Sequence, residues 1–287
     1  MSAKVLCLEH IRKDFGKAKV LSDINLTVLK GEVCGLVGNN GAGKTTLLRL
    51  VAGLMKPSEG SVSLHTEKPY IGYMPQTCRF DNRQTVAQTV LFFASLRKKD
   101  EREGLVLCQK FGLEINKKVR YLSPGQQKKL LMVIAMIGDP DLYILDEPTA
   151  GLDPGATDEM GRLIKEIYNR EKSIVISSHI LQDMDDICTD IAIMERGMLI
   201  YNQKLESSYI VSTSPVGDVL IEHLEKKYSL KVSNKRTTLH IKTDKKGVAE
   251  LVKVLTVNSV DVYEISPTNV KGIVQEHLYL RENEVMK

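Results

Sequence analysis

A glycine-rich segment near the start of the chain has the residue types and spacing of a phosphate-binding loop. Residues 38–45 fit the pattern G-x-x-x-x-G-K-[ST]. Its glycines let the main chain curl so that successive N–H groups point at phosphate oxygens. Lys44 supplies a cation for the β- and γ-phosphates, and Thr45 supplies a hydroxyl for the Mg²⁺ that bridges them. The segment predicts binding of a nucleoside triphosphate.

The residues on either side of this loop place it between a strand and a helix. Residues 33–37 are apolar and predict a short buried strand. Residues 46–52 predict a helix, which Gly53 and Pro57 would end. Because a helix N-terminus adds its dipole and free N–H groups to those of the loop, this order favours an anion site.

Two carboxylates follow a second apolar run. Asp146 and Glu147 come directly after residues 142–145, which predict a strand buried on both faces of a parallel sheet. Ligands bind at the carboxyl ends of such strands, so one acid can face Mg²⁺ and the other an attacking water. A third apolar strand, residues 173–179, ends in His179 at the same edge. A lone histidine is usually structural, yet this position favours a phosphate contact.

Four further residues have a local explanation that needs no ligand. Ser123 and Gln126 have the spacing of a capping box before the apolar helix 130–137, and an ordinary capped helix explains this pattern as well as an anion site does. Phe15, beside a glycine, fits a core aromatic and a side chain that stacks on a base equally well. Gln76 follows a predicted strand, where a glutamine is ordinarily a solvated turn residue.

Length and composition exclude several classes of protein. The chain has 287 residues, enough for one large domain and one small one, and its net charge of +4 is spread without a long basic block. A nucleic-acid partner is therefore not expected. The five cysteines form no C-x-x-C pair and predict reduced thiols. No apolar signal segment is evident at the N-terminus, and the longest apolar run, residues 130–137, is too short to span a bilayer.

The rest of the chain alternates strand and helix patterns. Residues 4–10 and 20–29 predict antiparallel strands, residues 84–97 and 100–119 predict helices, and residues 191–201 predict a hairpin. Residues 207–215 are polar and predict a linker. The predicted elements beyond it are helix 216–227, strands 229–233 and 237–242, helix 246–256, strand 260–265 and helix 268–283.

The order of these motifs resembles the nucleotide-binding domain of ATP-binding cassette (ABC) proteins over residues 4–203. The resemblance implies an α/β P-loop fold in domain 1–205, with a mixed sheet covered by helices, an antiparallel β subdomain and a helical subdomain at about residues 80–137. A small α+β accessory domain, residues 216–287, would follow, similar to the tail of drug and bacteriocin export ATPases.

The resemblance also implies a role for each matching residue. Catalysis falls to Glu147 as general base, with Gln76 and the switch histidine His179. Mg²⁺ would be held by Thr45, Gln76 and Asp146. ATP would be bound by Phe15 on adenine, by the loop residues Gly38, Asn39, Asn40, Gly41, Ala42, Gly43, Lys44, Thr45 and Thr46, by Asp153, and by Ser123, Gly125 and Gln126 of the signature sequence.

The signature departs from the family pattern at one position. Pro124 stands where the family usually has its first signature glycine, and proline has no N–H and a fixed φ. The family's most direct N–H contact with the γ-phosphate of the opposite subunit belongs to Gly125, which is present. We expect function to survive and the turnover rate to be affected.

The resemblance implies an ATPase that binds ATP and Mg²⁺ and pairs with a second cassette, as a homodimer because no catalytic motif is missing. Residues 85–96 resemble exporters of the ABC-2 type. We expect it to power export of a drug, peptide or lipid-like substrate through separate integral membrane permease subunits, from a cytoplasmic, peripheral position on the inner face of the cell membrane. The alternatives are a soluble cassette ATPase acting on ribosomes or DNA, and an importer ATPase.

Overall fold

The chain forms two compact units, Met1–Gln203 and Lys204–Lys287. The computed structural model describes residues 3–66, 71–178, 188–205, 208–267 and 272–273. No helix in these described ranges is long and apolar enough to cross a membrane.

Strands and helices alternate along most of the first unit. Its described strands are β1 (Lys4–Phe15), β2 (Ala18–Leu29), β3 (Val33–Val37), β4 (Glu59–Leu64), β5 (Gly72–Met74), β6 (Leu142–Asp146), β7 (Ser173–Ser178), β8 (Asp190–Glu195) and β9 (Met198–Lys204). Its described α-helices are α1 (Lys44–Val51), α2 (Val86–Leu96), α3 (Glu101–Lys110), α4 (Pro124–Met136) and α5 (Pro154–Asn169).

A six-stranded sheet brings the chemically important strand ends together. Its order is β5-β6-β7-β3-β8-β9, and the pairs among β5, β6, β7, β3 and β8 are parallel. Every residue of β3, β6 and β7 is buried, as the apolar runs predict. In this register Asp146 lies opposite Ser177, and Val37 lies opposite Ser178. The carboxyl ends of the three strands therefore meet at one edge.

The predicted antiparallel subdomain is present as a three-stranded sheet. Its order is β2-β1-β4, and both pairs are antiparallel. The inward residues of β1 and β2 share one hydrophobic core with α1, β3 and β6, which includes Leu6, Ile24, Leu36, Leu47 and Ile144. This shared core fixes the start of α1 against the sheet.

Helices α2, α3 and α4 lie in the predicted helical subdomain. Thr85 and Gln88 form a capping box at the start of α2, and Ser123 and Gln126 form one at the start of α4. The predicted continuous helix over residues 100–119 is wrong. Helix α3 ends at Lys110, because Gly112 adopts a left-handed φ of 65° that turns the chain away.

The second unit has the element order β10 (Ser208–Thr213), α6 (Asp218–Lys227), β11 (Ser229–Ser233), β12 (Thr238–Lys242), α7 (Lys245–Val257) and β13 (Val262–Pro267). Its sheet has the order β11-β12-β10-β13 with antiparallel pairs. This β-α-β-β-α-β arrangement is that of ferredoxin-like domains. Its own core is formed by residues such as Val211, Leu224, Leu239, Ile241 and Leu251.

The predicted linker at residues 207–215 is wrong. Residues 208–213 form β10, which lies between β12 and β13. Val211 is fully buried, as a central strand residue should be. The serines at 208 and 212 in the same segment obscure the alternation of apolar and polar residues that would indicate a strand. The predicted helices and strands from residue 216 to 265 match α6 to β13 closely. The predicted helix 268–283 lies outside the described residues apart from residues 272–273.

Candidate nucleotide site

The glycine-rich loop joins β3 to α1 and is packed too tightly for side chains at two of its glycines. A Cβ at Gly38 would lie 2.3 Å from the carbonyl oxygen of Met194. Gly43 has a φ of 102°, and a Cβ there would lie 2.8 Å from a methyl group of Leu21. Both positions therefore require glycine, and the loop is held close to the end of β8.

Lys44, the first residue of α1, is buried inside this loop. Its Nζ donates to the carbonyl oxygens of Gly38 at 2.5 Å and Asn39 at 3.2 Å, and lies 4.0 Å from Oε1 of Glu147. Burial lowers the pKa of Lys44, while the carboxylates of Glu147 and Asp146 act in the opposite direction. The ammonium group is thus ringed by oxygens where a phosphate would be held.

Asp146 ends β6 beside the start of α1. Its Oδ1 accepts hydrogen bonds from Ser177 Oγ at 2.8 Å and from Thr45 Oγ1 at 3.3 Å. Its Oδ2 is buried and has no hydrogen-bond partner among the described residues. An unpaired buried carboxylate oxygen beside a threonine hydroxyl is a donor set that suits Mg²⁺, a hard cation. The residues present therefore fit the metal that the loop motif implies.

Glu147 follows Asp146 and has an unusual main-chain conformation. Its φ is 47°, a left-handed value that is rare for a residue other than glycine and costs about 1–3 kcal/mol. Its N–H donates to Ser177 Oγ at 3.0 Å and Ser177 O at 3.2 Å. Gln76 Nε2 donates to Glu147 Oε2 at 3.1 Å, so the structure brings these two predicted site residues together. The Glu147 carboxylate therefore lies beside both Lys44 and Gln76.

The capping box at the start of α4 has the predicted geometry. Ser123 Oγ accepts from Gln126 N at 3.2 Å, and Gln126 Oε1 accepts from Ser123 N at 3.2 Å. Pro124 occupies the first helical position, where its missing N–H costs no helical hydrogen bond. Lys117 Nζ also donates to Gln126 Oε1, at 3.1 Å. In the part of the chain that the structure describes, no hydrogen bond joins this box to the glycine-rich loop.

Comparisons with known proteins agree with this geometry. A family model described as ABC transporter matches residues 21–150. The ABC transporter ATP-binding protein NatA of Bacillus subtilis is 33% identical over 208 residues, which cover 67% of this chain and 84% of NatA. The chain belongs to the ABC transporter family. The uncharacterized ABC transporter ATP-binding protein YdbJ of B. subtilis is 30% identical and covers 93% of this chain and 92% of YdbJ. The Nod factor export ATP-binding protein I of Ralstonia nicotianae is 29% identical, covering 71% of this chain and 68% of that protein.

Solved structures show the same fold. The ATP binding subunit of an ABC transporter superposes with a TM-score of 0.63 at 27% identity, covering 70% of this chain and 90% of that chain. The dimeric structure of a bacterial ABC transporter cassette has a TM-score of 0.64 at 23% identity, covering 70% of this chain and 98% of that one. The predicted α/β cassette fold and the predicted ATPase class are confirmed.

Four further predicted residues of this ABC cassette lie away from this cluster or outside the described residues, or have a separate local role. Phe15 ends β1 and is 50% exposed, with Lys13 Nζ 5.2 Å from its ring centre. Asp153 caps α5, because its Oδ1 accepts from Ala156 N at 2.9 Å. Thr46 lies in the first turn of α1. The predicted switch histidine, His179, lies outside the described residues.

Two buried residues that contact Asp146 and Glu147 do not stand out in the sequence. Ser177 is a fully buried serine whose hydroxyl bonds to Asp146 and to the N–H of Glu147. Lys128 is 8% exposed, and its Nζ donates to the carbonyl oxygens of Gln76 and Glu147, both at 2.8 Å. The available signal was a polar residue close to each apolar run, since a buried polar group needs a hydrogen-bonding partner.

Proposed function

We propose that this chain is the ATP-hydrolysing subunit of an exporter, that it works as a homodimer, and that it hydrolyses Mg·ATP. The observation that carries the proposal is the cluster of Lys44, Gln76, Asp146 and Glu147 beside the loop, in which the buried Oδ2 of Asp146 has no hydrogen-bond partner among the described residues. Phosphoryl transfer depends mainly on such positioning and on charge stabilisation.

The chemistry follows from the charges in this cluster. Lys44 exchanges the loop carbonyls that it now contacts for phosphate oxygens of ATP, as a point charge. Glu147 accepts a proton from the attacking water, whose oxygen bonds to the γ-phosphorus as the bond to the ADP oxygen breaks. Gln76 orients the Glu147 carboxylate and the water. Thr45 and Asp146 would hold Mg²⁺, which would neutralise charge that develops on the phosphates.

Two copies of the cassette complete each site. The capping box of α4 bonds to itself and to Lys117 rather than to the loop of its own chain, which leaves the helix N-terminus available to a second subunit. Gly125 N–H and Ser123 would then contact the γ-phosphate of ATP that the other copy holds. Hydrolysis removes that shared group, so the nucleotide controls a switch between closed and open dimers.

The proposed partners are integral membrane permease subunits, which place the cassette at the inner face of the cell membrane. The support is membership in the ABC transporter family and similarity to a relative named for Nod factor export. Drugs, peptides and lipid-like molecules are the proposed cargo classes. Purification of the cassette from membranes, with mass spectrometry of the bound integral protein, tests the partnership. Recovery of the cassette without any integral protein would count against it.

Complementation between two inactive variants tests the shared site. Lys44→Ala disables the loop that binds ATP in its own chain, and Ser123→Arg disables the signature that the chain presents to its partner. A mixture should form heterodimers with one intact composite site and recover part of the ATPase activity. Heterodimers that form but stay inactive would contradict the model in which each site contains residues of both chains and the two sites act independently.

A further inference from the structure

Lys128 crosses from helix α4 to two segments that carry catalytic side chains. It is the fifth residue of α4 and precedes the apolar residues 130–136. Its Nζ donates at 2.8 Å to the carbonyl oxygen of Gln76, beyond the end of β5, and at 2.8 Å to that of Glu147, beyond the end of β6. Three separate parts of the chain are therefore tied together by one buried ammonium group.

Lys128 completes the support of the strained Glu147 main chain. The N–H of Glu147 is held by Ser177, and its C=O is held by Lys128. A left-handed conformation at a glutamate persists only where the surroundings determine it, and here both ends of the residue are bonded. The direction of the Glu147 carboxylate follows from that conformation.

The same ammonium group supports the side chain that orients Glu147. Lys128 bonds to the carbonyl of Gln76, and the amide of Gln76 bonds to Oε2 of Glu147 at 3.1 Å. The hydrogen bonds form a closed ring through Lys128, Gln76 and Glu147. Loss of Lys128 would loosen the general base and its orienting glutamine together, and would leave the contacts of Lys44 with the loop intact.

We propose that Lys128 is a positioning residue for ATP hydrolysis, which holds Glu147 and Gln76 of its own chain in their reactive arrangement. The inference rests on the proposed function of Glu147 as general base. Under this proposal, helix α4 has two separate roles. Ser123, at the helix N-terminus, serves the site of the partner copy, and Lys128, about 7.5 Å further along the helix axis, serves the site of its own chain.

Steady-state kinetics of Lys128→Met distinguish positioning from simple structural support. We expect kcat to fall by about 10²-fold while KM for ATP stays unchanged, because misplacement of a catalytic group by about 1 Å costs this much and the ATP-binding loop is untouched. Lys129→Met is the matched control. Lys129 adjoins Lys128 on α4, but its Nζ pairs with Glu159 Oε2 of α5 at 2.6 Å, so its loss should leave kcat unchanged.

Folding is checked by thermal unfolding of each variant. If Lys128→Met does not fold, Lys128→Gln keeps a polar N–H donor on a shorter chain and should show the same fall in kcat at constant KM. A folded Lys128→Met or Lys128→Gln protein with wild-type kcat would overturn the proposal. Equal losses in Lys128→Met and Lys129→Met would do the same, because they would indicate a general weakening of α4.

Mixed dimers then identify which site Lys128 serves. A mixture of Lys128→Met chains with Ser123→Arg chains should recover activity. In that heterodimer, the loop of the Ser123→Arg chain meets the signature of the Lys128→Met chain, and this composite site is intact. A mixture of Lys128→Met chains with Lys44→Ala chains should recover none. The reverse pattern would show that Lys128 acts through the signature and would overturn the proposal. Failure of the reference mixture of Lys44→Ala and Ser123→Arg would count against the proposed function, and the kinetic comparison would still decide on Lys128.

Discussion

Ser177 bonds to Asp146 through the same hydroxyl that receives the N–H of Glu147. The hydroxyl donates to Asp146 Oδ1 at 2.8 Å and accepts from Glu147 N at 3.0 Å. One fully buried serine on β7 therefore fixes both acids at the end of β6. The bond to Oδ1 leaves Oδ2 of Asp146 buried and without a hydrogen-bond partner among the described residues, as suits an oxygen that would bind Mg²⁺.

Ser177→Ala should weaken Mg²⁺-dependent ATPase activity about 10–100-fold, the usual effect of losing a group that orients a metal ligand. A titration of activity against Mg²⁺ concentration measures the change, which should include a higher Mg²⁺ requirement. Ser173→Ala is the matched control. Ser173 is equally buried on β7, but it bonds to Leu29 O and Gly31 N at the opposite end of the strand. An unchanged Mg²⁺ requirement in Ser177→Ala would contradict the assigned role of Asp146.

Glu147→Gln should reduce ATP hydrolysis by about 10²–10⁴-fold, because an amide cannot accept the proton from water. ATP should remain bound, since Lys44 and the loop are unaltered, and the dimer should persist. Sizing the variant with Mg·ATP and measuring phosphate release test both effects. Glu114→Gln, an exposed glutamate on the helical subdomain, is the control. A monomeric Glu147→Gln protein with wild-type turnover would reject Glu147 as the general base.

The position of Asp146, Glu147 and Lys44 at one edge of the sheet could be predicted, because it depends on residue type and local order. Lys44 follows a glycine pattern, and Asp146 follows an apolar strand. Lys128 and Ser177 could not be assigned, because periodicity indicates which residues are buried but not which strand end a buried polar group will meet. Their partners lie 52 and 31 residues away in sequence. Tertiary packing alone brings these groups together.

The same limit explains the missed strand β10. A six-residue strand that contains three Ser or Thr residues resembles a turn-prone linker when only its composition is considered. Its central place follows from pairing with β12 and β13, which come later in the chain. The α3 boundary was missed for a local reason, since Gly112 ends the helix although the charged pattern continues.

Gly38→Ala should impair ATP binding and destabilise the first unit by about 1–3 kcal/mol, the usual cost of forcing an extra group into a packed site. The reason is the distance of 2.3 Å between the added Cβ and the main-chain oxygen of Met194, which only a backbone shift can relieve. Gly41→Ala is the comparison, because a Cβ at Gly41 meets no atom within 4 Å, although its φ of 83° still causes strain. Nucleotide titration and thermal unfolding should show the larger loss in Gly38→Ala. A smaller loss there would indicate a loop that opens freely from β8.

Removal of residues 204–287 should leave nucleotide binding by the first unit unchanged and should alter the stimulation of ATP hydrolysis by the membrane partner. The described catalytic and loop residues all belong to Met1–Gln203, and the second unit has its own core. The cut belongs after Gln203, because a cut at Ser208 would leave residues 204–207 of the second unit attached to the first. Leu239→Ala is the matched point variant. It should destabilise the second unit by about 2–5 kcal/mol and leave the unfolding of the first unit in place. Loss of ATP binding by a folded, truncated cassette would show that the second unit contributes to the nucleotide site, and that its proposed accessory role is wrong.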